Sequence, residues 1–358
     1  MPKKIIFDVG HPAQIHHFKN LYWLLEKKGW ECLFVAKNKD ISKSLLDNYK
    51  LKYKMLSQNR KGLLRKIFGI PVDDYRFLKI VNSFKPDFIL NRFSIHSGHI
   101  SKLKNIVNIA FSDTEHASMI HTAAKPFIDV KFTGNSYYAT LGKNHLKYNS
   151  NTELFYLHPN IFKPDMSILK FLGVKENEKY VIIRFVSWDA HHDIGQEGFS
   201  MRFKNKMIEE LTKYAKVFIT SEGILPPHLE PYKIKIPPER IHDAMAFADL
   251  YIGEGGTMAS ESACLGTPSI YVNSLDAGVF HEEEAFGLLH NFRTSEGVLE
   301  KALEVLKNEN TNEVYKDRLK EFLSKKIDVI KFMEWFLDNY PKSLDTIKNN
   351  PDYQYNFK

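Results

Sequence analysis

The sequence contains little cysteine and no long apolar run. Cys32 and Cys264 are the only cysteines among 358 residues, too few for a disulfide framework or a four-cysteine zinc site. Mean hydropathy is −0.34, and no apolar stretch approaches the roughly 20 residues of a membrane-spanning helix. Met1–Gly10 is too short and too strand-like for a secretory signal. We therefore expect a cytosolic protein with reduced thiols.

Signals for metal and nucleic-acid binding are also missing. The sequence has no Asp-x-Asp pair of the kind that holds a metal ion beside a diphosphate, and no further ligand pattern accompanies His191–Asp193. No aromatic–glycine RNA motif or helix-turn-helix accompanies the basic residues. We therefore expect no metal, no cofactor and no nucleic-acid partner.

Charge is abundant but unevenly distributed. Residues 1–150 carry a balance of +14 and residues 151–358 a balance of −7. A basic half favours an acidic partner such as a phosphate or an anionic lipid headgroup. A surface that only keeps the protein soluble would explain the same balance.

Strands and helices alternate through both halves, which is typical of parallel sheets covered on both faces. Strands are predicted at 5–9, 31–36, 51–56, 87–90, 106–109, 180–185, 217–219, 234–236, 250–252 and within 266–272. The stretch 142–166, rich in Asn, Tyr and Pro, is predicted to link two domains. We place the domains at 1–155 and 156–325, followed by a C-terminal helix at 327–337 and a loose tail from Pro341.

The most informative segment is Ala248–Glu261, a short apolar strand followed by a Gly-Gly turn and a helix. Glycine lets a ligand approach the backbone, and a helix N-terminus presents unpaired N–H groups and a positive dipole end. This pattern favours a diphosphate site at Gly255, Gly256 and Thr257, with Glu261 within reach of ribose hydroxyls. A purely structural turn is the alternative, since Gly-Gly alone is weak evidence.

This segment resembles the donor-binding segment of the glycosyltransferase-B superfamily. That superfamily includes the peptidoglycan N-acetylglucosaminyltransferase and the non-hydrolysing UDP-N-acetylglucosamine 2-epimerases. Nearly the whole chain is similar to a little-characterised bacterial and archaeal family of that superfamily, through Gly10–Pro12, Ile15–Lys19, Asp113–Ala117, Pro159–Asp165, Arg184-Phe185 and Leu265–Pro268. The resemblance implies two Rossmann-like, doubly wound α/β domains facing each other across a cleft, with residues 326–358 crossing back to the first domain. It also implies a nucleotide-sugar ligand.

The resemblance points to two loops in the first half. Gly10 begins a loop that matches the superfamily's N-domain glycine-rich loop, and His16 follows on the next helix. A histidine suits a general base because its pKa is near neutral, although a histidine that only packs would look the same. Glu115 and His116 follow the strand at 106–109, and Glu115 resembles a glutamate of the 2-epimerases. A helix cap is the alternative there.

Further candidates lie in the second half. Arg184 and Ser187 follow its first strand and are predicted to bind phosphate, because arginine forms bidentate charge-assisted bonds with it. His281 and Glu282 lie in the loop that meets the donor sugar in the superfamily, although an acidic helix start would also explain them. Ile241 is a further predicted contact of the nucleotide.

A basic, amphipathic stretch lies at Asn59–Phe68. In glycosyltransferases with lipid-linked acceptors, such a patch on the first domain often rests on an anionic membrane surface. A helix that packs Leu64, Ile67 and Phe68 inward is equally compatible.

The sequence therefore predicts a glycosyltransferase that transfers a sugar from a nucleotide diphosphate sugar, with UDP as the carrier, to an acceptor in surface polysaccharide or glycolipid synthesis. We expect it in the cytoplasm and peripherally on the inner face of the membrane. A non-hydrolysing UDP-sugar 2-epimerase and a non-catalytic nucleotide-sugar-binding protein remain alternatives. The oligomeric state stays open.

Overall fold

The computed structural model describes residues 2–39, 41–58, 63–113, 115, 118–175, 177–186, 199–221 and 223–358, except the side chains at 63–67 and 118–120. The chain divides into two compact units, Met1–Ile161 with Lys326–Lys358, and Phe162–Lys325. Within those described ranges, no helix is long and apolar enough to cross a membrane.

The first unit is built on an all-parallel sheet. Its strands are β1 (Lys4–Val9), β2 (Glu31–Asn38), β3 (Tyr53–Gln58), β4 (Phe88–Asn91), β5 (Val107–Ser112), β6 (Val130–Gly134) and β7 (His145–Tyr148). They pair in the order β3-β2-β1-β4-β5-β6-β7. The order reverses between β1 and β4, and open α/β sheets bind ligands at such a switch point, outside the carboxyl ends of the strands.

Helices connect these strands, and local sequence explains where several begin. They are α1 (Pro12–Lys27), α2 (Ser42–Asn48), α3 (Leu63–Phe84), α4 (Ile95–Lys104), α5 (Ser118–Ala124) and α6 (Leu154–Leu157). Pro12 occupies the first position of α1, where its missing N–H costs nothing. The Ser94 side chain accepts the Ser97 N–H at the start of α4, and Asn105 ends that helix in the left-handed conformation.

The second unit contains a smaller all-parallel sheet. Its strands are β8 (Tyr180–Phe185), β9 (Lys216–Ser221), β10 (Leu250–Gly253), β11 (Ser269–Val272) and β12 (Leu289–Phe292), in the order β12-β11-β10-β8-β9. Its helices are α7 (Ile168–Leu172), α8 (Met201–Leu211), α9 (Ile241–Ala246), α10 (Gly256–Leu265), α11 (Gly278–Ala285), α12 (Val298–Lys307) and α13 (Thr311–Lys325). The strand order reverses between β8 and β10, which makes that edge the switch point.

The C-terminal segment packs within the first unit. It consists of α14 (Val329–Asp338), α15 (Lys342–Asn349) and a 3-10 helix at Pro351–Phe357. Phe336 of α14 contacts Phe132 of β6, with ring centroids 5.0 Å apart. Trp335 contacts Tyr353 and Phe357 at 4.8 and 5.3 Å.

These two sheets confirm the predicted fold class of two Rossmann-like α/β domains, but two local predictions were wrong. The tail from Pro341 is not loose, because Leu344 and Ile347 are buried on α15. Residues 234–236 form no strand; Lys233 makes only an isolated bridge with Ile219. The stretch 142–166, which was predicted to link the domains, also contains β7 and α6. The change of unit falls inside it, after Ile161.

The buried side chains of α15 lead to a stability prediction. Ile347 is 2% exposed, so Ile347→Ala should lower the free energy of unfolding by about 2–4 kcal/mol. Leu103→Ala is the control, because Leu103 is 66% exposed and its truncation should cost much less. Urea unfolding measures both variants, and equal stabilities would mean that α15 contributes no packing.

Candidate functional site

The switch point of the second unit carries several of the predicted site residues. Gly253 at the end of β10 lies opposite Arg184 of β8 in the parallel register. The next residue, Glu254, donates its backbone N–H to the Arg184 carbonyl oxygen at 3.3 Å. Arg184 and the Gly253–Gly255 turn are therefore direct neighbours across two paired strands.

Tyr251 supports this turn from within the sheet. A Cβ atom on Gly253 would lie 2.2 Å from the Tyr251 hydroxyl oxygen, so this position requires glycine. The same hydroxyl donates to the Gly255 carbonyl oxygen at 3.5 Å. Burial, the largest cause, raises the pKa of Tyr251 well above its usual value; the Arg184 charge opposes that rise and the Glu261 charge adds to it. The Tyr251 hydroxyl therefore interacts electrostatically with two predicted site residues, Arg184 and Glu261.

Glu254 connects the turn to neighbouring loops. Its side chain is buried and accepts the backbone N–H groups of Val186 at 3.2 Å and Phe199 at 2.5 Å. Its carbonyl oxygen accepts the Asn273 side-chain amide at 2.9 Å. Backbone N–H groups are strong partners for a buried carboxylate, so Glu254 fixes the chain after β8, β10 and β11.

The N-terminus of α10 lies directly after this turn. Gly255 is the N-cap residue in an extended conformation, and as a glycine it has no side chain with which to cap the helix. Gly256 packs so tightly that a Cβ atom there would lie 2.6 Å from the Phe280 ring, while Thr257 is exposed. An uncapped helix start offers first-turn N–H groups and a positive dipole end to an anion.

Glu261 lies farther along α10 and is paired. Its Oε1 atom is 3.0 Å from His242 Nε2, and both side chains are buried. Ile241 precedes this histidine as the first residue of α9 and is half-buried.

A polar cluster follows β11 and β12. His281 Nε2 and an Arg293 guanidinium nitrogen each lie 2.9 Å from Asp276 Oδ2. Burial raises the pKa of Asp276, but its bonds to Arg293 and His281 outweigh that and lower it. Glu282 is half-buried on α11. His281 is thus held by an aspartate that the sequence analysis did not single out.

The switch point of the first unit carries a second polar cluster. Asp8 at the end of β1 is buried and accepts hydrogen bonds from Ser97 Oγ at 2.5 Å and His96 Nε2 at 2.9 Å. Burial raises the pKa of Asp8, but the His96 charge and the hydrogen bonds of His96, Ser94 and Ser97 together outweigh burial and lower that pKa. Gly10 lies just beyond, where its N–H donates to the Gln14 side chain at 2.7 Å.

Three further residues form a chain across the ends of β4 and β5. Arg92 donates to Asp113, and its other terminal nitrogen donates to His17 Nδ1 at 3.2 Å. Burial and, after it, the Arg92 charge hold the pKa of His17 well below its usual value. His17 is therefore a neutral acceptor. The sequence analysis did not predict this hydrogen-bonded group, because His17 and Arg92 are far apart in sequence. The one signal in the sequence is that Arg92 and Asp113 each follow the end of a strand.

The predicted catalytic residues are held by different elements. His16 is buried, with Nδ1 3.2 Å from the Tyr49 hydroxyl and its ring against Tyr156. Glu115 is half-buried. The pKa of Tyr137 is raised to about 12, mainly because Tyr137 is buried and next because of the negative charge of Glu115. His116, Ser187 and His191–Asp193 lie outside the described residues.

Comparison with known proteins places the chain in a family. The model of the family described as "Protein of unknown function (DUF354)" matches residues 3–286. The chain belongs to this family. It is also 23% identical to an uncharacterized protein of Methanocaldococcus jannaschii over 274 residues, which cover 74% of this chain and 80% of that protein.

Solved structures show the same fold. UDP-N-acetylglucosamine 2-epimerase of Neisseria meningitidis bound to UDP-N-acetylglucosamine is 12% identical, with a TM-score of 0.66 and coverage of 94% of this chain and 100% of that chain. The MnaA–UDP structure of S. aureus is 13% identical, with a TM-score of 0.64 and coverage of 99% of this chain and 98% of that chain. The SsfS6 glycosyltransferase of Streptomyces sp. SF2575 is 14% identical, with a TM-score of 0.58 and coverage of 93% of this chain and 99% of that chain. At 12–14% identity these structures show the fold alone, and that fold is the one that the sequence analysis predicted.

The neutral His17 leads to a pH prediction. Its folded pKa lies well below 6.5, so below about pH 6.5 the unfolded chain binds a proton that the folded protein does not. Stability should therefore fall as pH falls, by at most about 1.4 kcal/mol per pH unit from this residue. His17→Asn keeps an acceptor for Arg92 and should flatten the slope of unfolding free energy between pH 6.5 and 5. Leu103→Ala, at an exposed position without a titratable side chain, should leave the slope as in wild type. Equal slopes in all three proteins would refute the assignment.

Proposed function

We propose that this protein is a glycosyltransferase that transfers a sugar from a nucleotide diphosphate sugar, with UDP as the carrier, to an acceptor in surface polysaccharide or glycolipid synthesis. The observation that supports this most is the uncapped start of α10 at a switch point, beside Arg184. A diphosphate is the group that such a helix end binds best. Two of the similar structures contain UDP or UDP-N-acetylglucosamine.

In the proposed reaction, the bond between the sugar and the diphosphate breaks and negative charge develops on the leaving diphosphate. The first-turn N–H groups of α10 and the Arg184 guanidinium stabilise that charge. Glu261 holds the ribose and Ile241 contacts the base, while His281 and Glu282 recognise sugar hydroxyls. No metal or cofactor is required in this scheme, because the helix end and the arginine supply the positive charge.

The acceptor hydroxyl needs a base on the first unit. Among the candidates His16, Glu115 and His116, we favour Glu115 over His16. His16 is buried against two tyrosines, whereas Glu115 follows β5 at the strand edge. Asp113 joins the candidates because Arg92 orients its carboxylate at the same edge, and 30% of its side chain remains exposed.

We further propose that the acceptor is lipid-linked and that α3 rests on an anionic membrane surface on the cytoplasmic side. Phe68, Val72 and Tyr75 are 77%, 43% and 58% exposed, and their spacing along α3 puts them on one face. Lys79 lies over the Tyr75 ring at 4.5 Å. Apolar side chains beside basic ones favour shallow insertion among anionic headgroups. The basic residues Lys61, Arg65 and Lys66 belong to the same stretch, although their side chains lie outside the described residues.

A sugar-nucleotide 2-epimerase is the second candidate for two reasons. One similar structure is named a UDP-N-acetylglucosamine 2-epimerase, and another contains UDP. In addition, Glu115 follows the end of a strand. Incubation with UDP-N-acetylglucosamine in D2O distinguishes the candidates. A transferase releases UDP only when acceptor is added, whereas an epimerase incorporates deuterium at C2 without acceptor. A binding protein does neither, and that result together with tight UDP binding would replace both enzyme proposals.

The diphosphate site can be tested at Gly255. A Cβ atom there meets only ordinary contacts, 3.5 Å from Val186 and 3.7 Å from Arg184, so Gly255→Ala should fold normally. The methyl group should keep the diphosphate from the backbone and weaken UDP binding by about 1.5–3 kcal/mol, the range for hydrogen bonds to charged groups. Calorimetry measures the affinity and thermal unfolding checks the fold. Gly256 is unsuitable for this test because of its contact with Phe280. Unchanged UDP affinity in Gly255→Ala would count against the site.

Membrane contact can be tested with liposomes. The wild-type protein should co-sediment with anionic vesicles, less so at high salt, and ignore neutral ones. Phe68→Ser with Tyr75→Ser should weaken that binding, and Lys61→Ser with Arg65→Ser and Lys66→Ser should abolish it. Ile224→Ser is the control, since Ile224 is 98% exposed in the second unit and should not matter. If wild-type protein ignores anionic vesicles, the lipid-linked acceptor should be abandoned.

A further inference from the structure

A buried polar pair joins α9 and α10 and includes Glu261, one of the predicted nucleotide contacts. The side chains are only 3% and 5% exposed, and His242 Nε2 lies 3.0 Å from Glu261 Oε1. The carboxylate can only accept, so the histidine donates the hydrogen of Nε2. This bond fixes the rotation of the Glu261 carboxylate.

Parallel topology explains why these two residues meet beneath the turn. Helix α9 runs into β10, so its N-terminus, with Ile241 and His242, lies toward the carboxyl edge of the sheet. Helix α10 starts at that edge, and Glu261 is its sixth residue. The pair therefore lies between two helix N-terminal halves, about one and a half turns below the uncapped start of α10.

Packing alone does not call for an ion-pairing couple at this position. The neighbouring buried residues of α10 are small, among them Ala259 and Ala263. Apolar side chains of similar volume are often neutral or stabilising when they replace a buried charged pair. A glutamate that must present its carboxylate in one orientation to a ligand provides a reason for the histidine beside it.

We infer that His242 is the positioning residue for ribose recognition: it orients Glu261 so that the carboxylate accepts hydrogen bonds from the ribose hydroxyls of a ribonucleoside diphosphate. The inference rests on the proposed function, because it requires nucleotide binding at α10. Selection of a ribonucleotide over a deoxyribonucleotide then depends on His242, which acts through Glu261 and does not itself contact the nucleotide. His242→Met, which removes the donor, should therefore weaken this selection. His242→Gln, which keeps a donor, should retain most of it.

The experiment compares UDP with 2′-deoxy-UDP by calorimetry for the wild type and both variants. Wild type should prefer UDP by roughly tenfold or more, as expected for hydrogen bonds to a charged group. His242→Met should reduce this preference severalfold while its affinity for 2′-deoxy-UDP changes little, and His242→Gln should restore it. His290→Met is the matched control. His290 bonds the Tyr315 hydroxyl at 2.8 Å in the same unit, and its loss should lower stability without changing the preference.

The possible outcomes separate the inference from the function on which it rests. If His242→Met weakens both nucleotides equally, or if the wild type binds both equally, the positioning role is overturned while the diphosphate site stands. If His242→Gln behaves as His242→Met, the donor is irrelevant and the inference also fails. If the wild type binds no nucleotide, the proposed function falls first and the inference with it.

Discussion

Parallel pairing of the strands is the constraint on which the candidate sites depend. Within the described residues, the named strands pair in parallel in both sheets. The carboxyl ends of neighbouring strands therefore meet at one edge of each sheet, and chain segments distant in sequence become adjacent there. In the second unit this edge brings Arg184 beside Gly253, and in the first it brings Arg92 beside Asp113.

The glycine turn in the second unit is held from two sides. Tyr251 occupies the space that a side chain on Gly253 would need, while Glu254 binds the backbone of two other segments. The Phe280 ring holds Gly256 close in the same way. A rigid turn presents the first N–H groups of α10 in a fixed direction, and such preorganised donors stabilise an anion without reorganisation.

Sequence patterns predicted the apolar strands well and the polar or short elements poorly. Strands β1, β8 and β10 are apolar runs, so their burial is visible in the sequence. Strand β7 at His145–Tyr148 alternates polar and apolar residues and is flanked by asparagines, a composition that is typical of a linker. On α15, Leu344 and Ile347 have helical spacing, but the lysines and asparagines around them hid it. Site residues that follow strands could be predicted, whereas their partners could not. Tyr49 for His16 and His242 for Glu261 are set by helix packing, which no local pattern encodes.

Buried polar groups lower the stability of a fold unless their partners compensate, so their positions indicate where a requirement other than stability applies. Asp8 with His96, and His17 with Arg92, place charged or hydrogen-bonding groups at the strand ends of the first unit, and Glu254 and Glu261 do so in the second. Each such group loses hydration on folding and regains only part of it through its partners. Apolar clusters pack in both units, so the sequence can supply apolar side chains where stability alone decides. Because these particular groups lie near the two switch points, where α/β folds bind ligands, binding gives a better account of their retention than packing does.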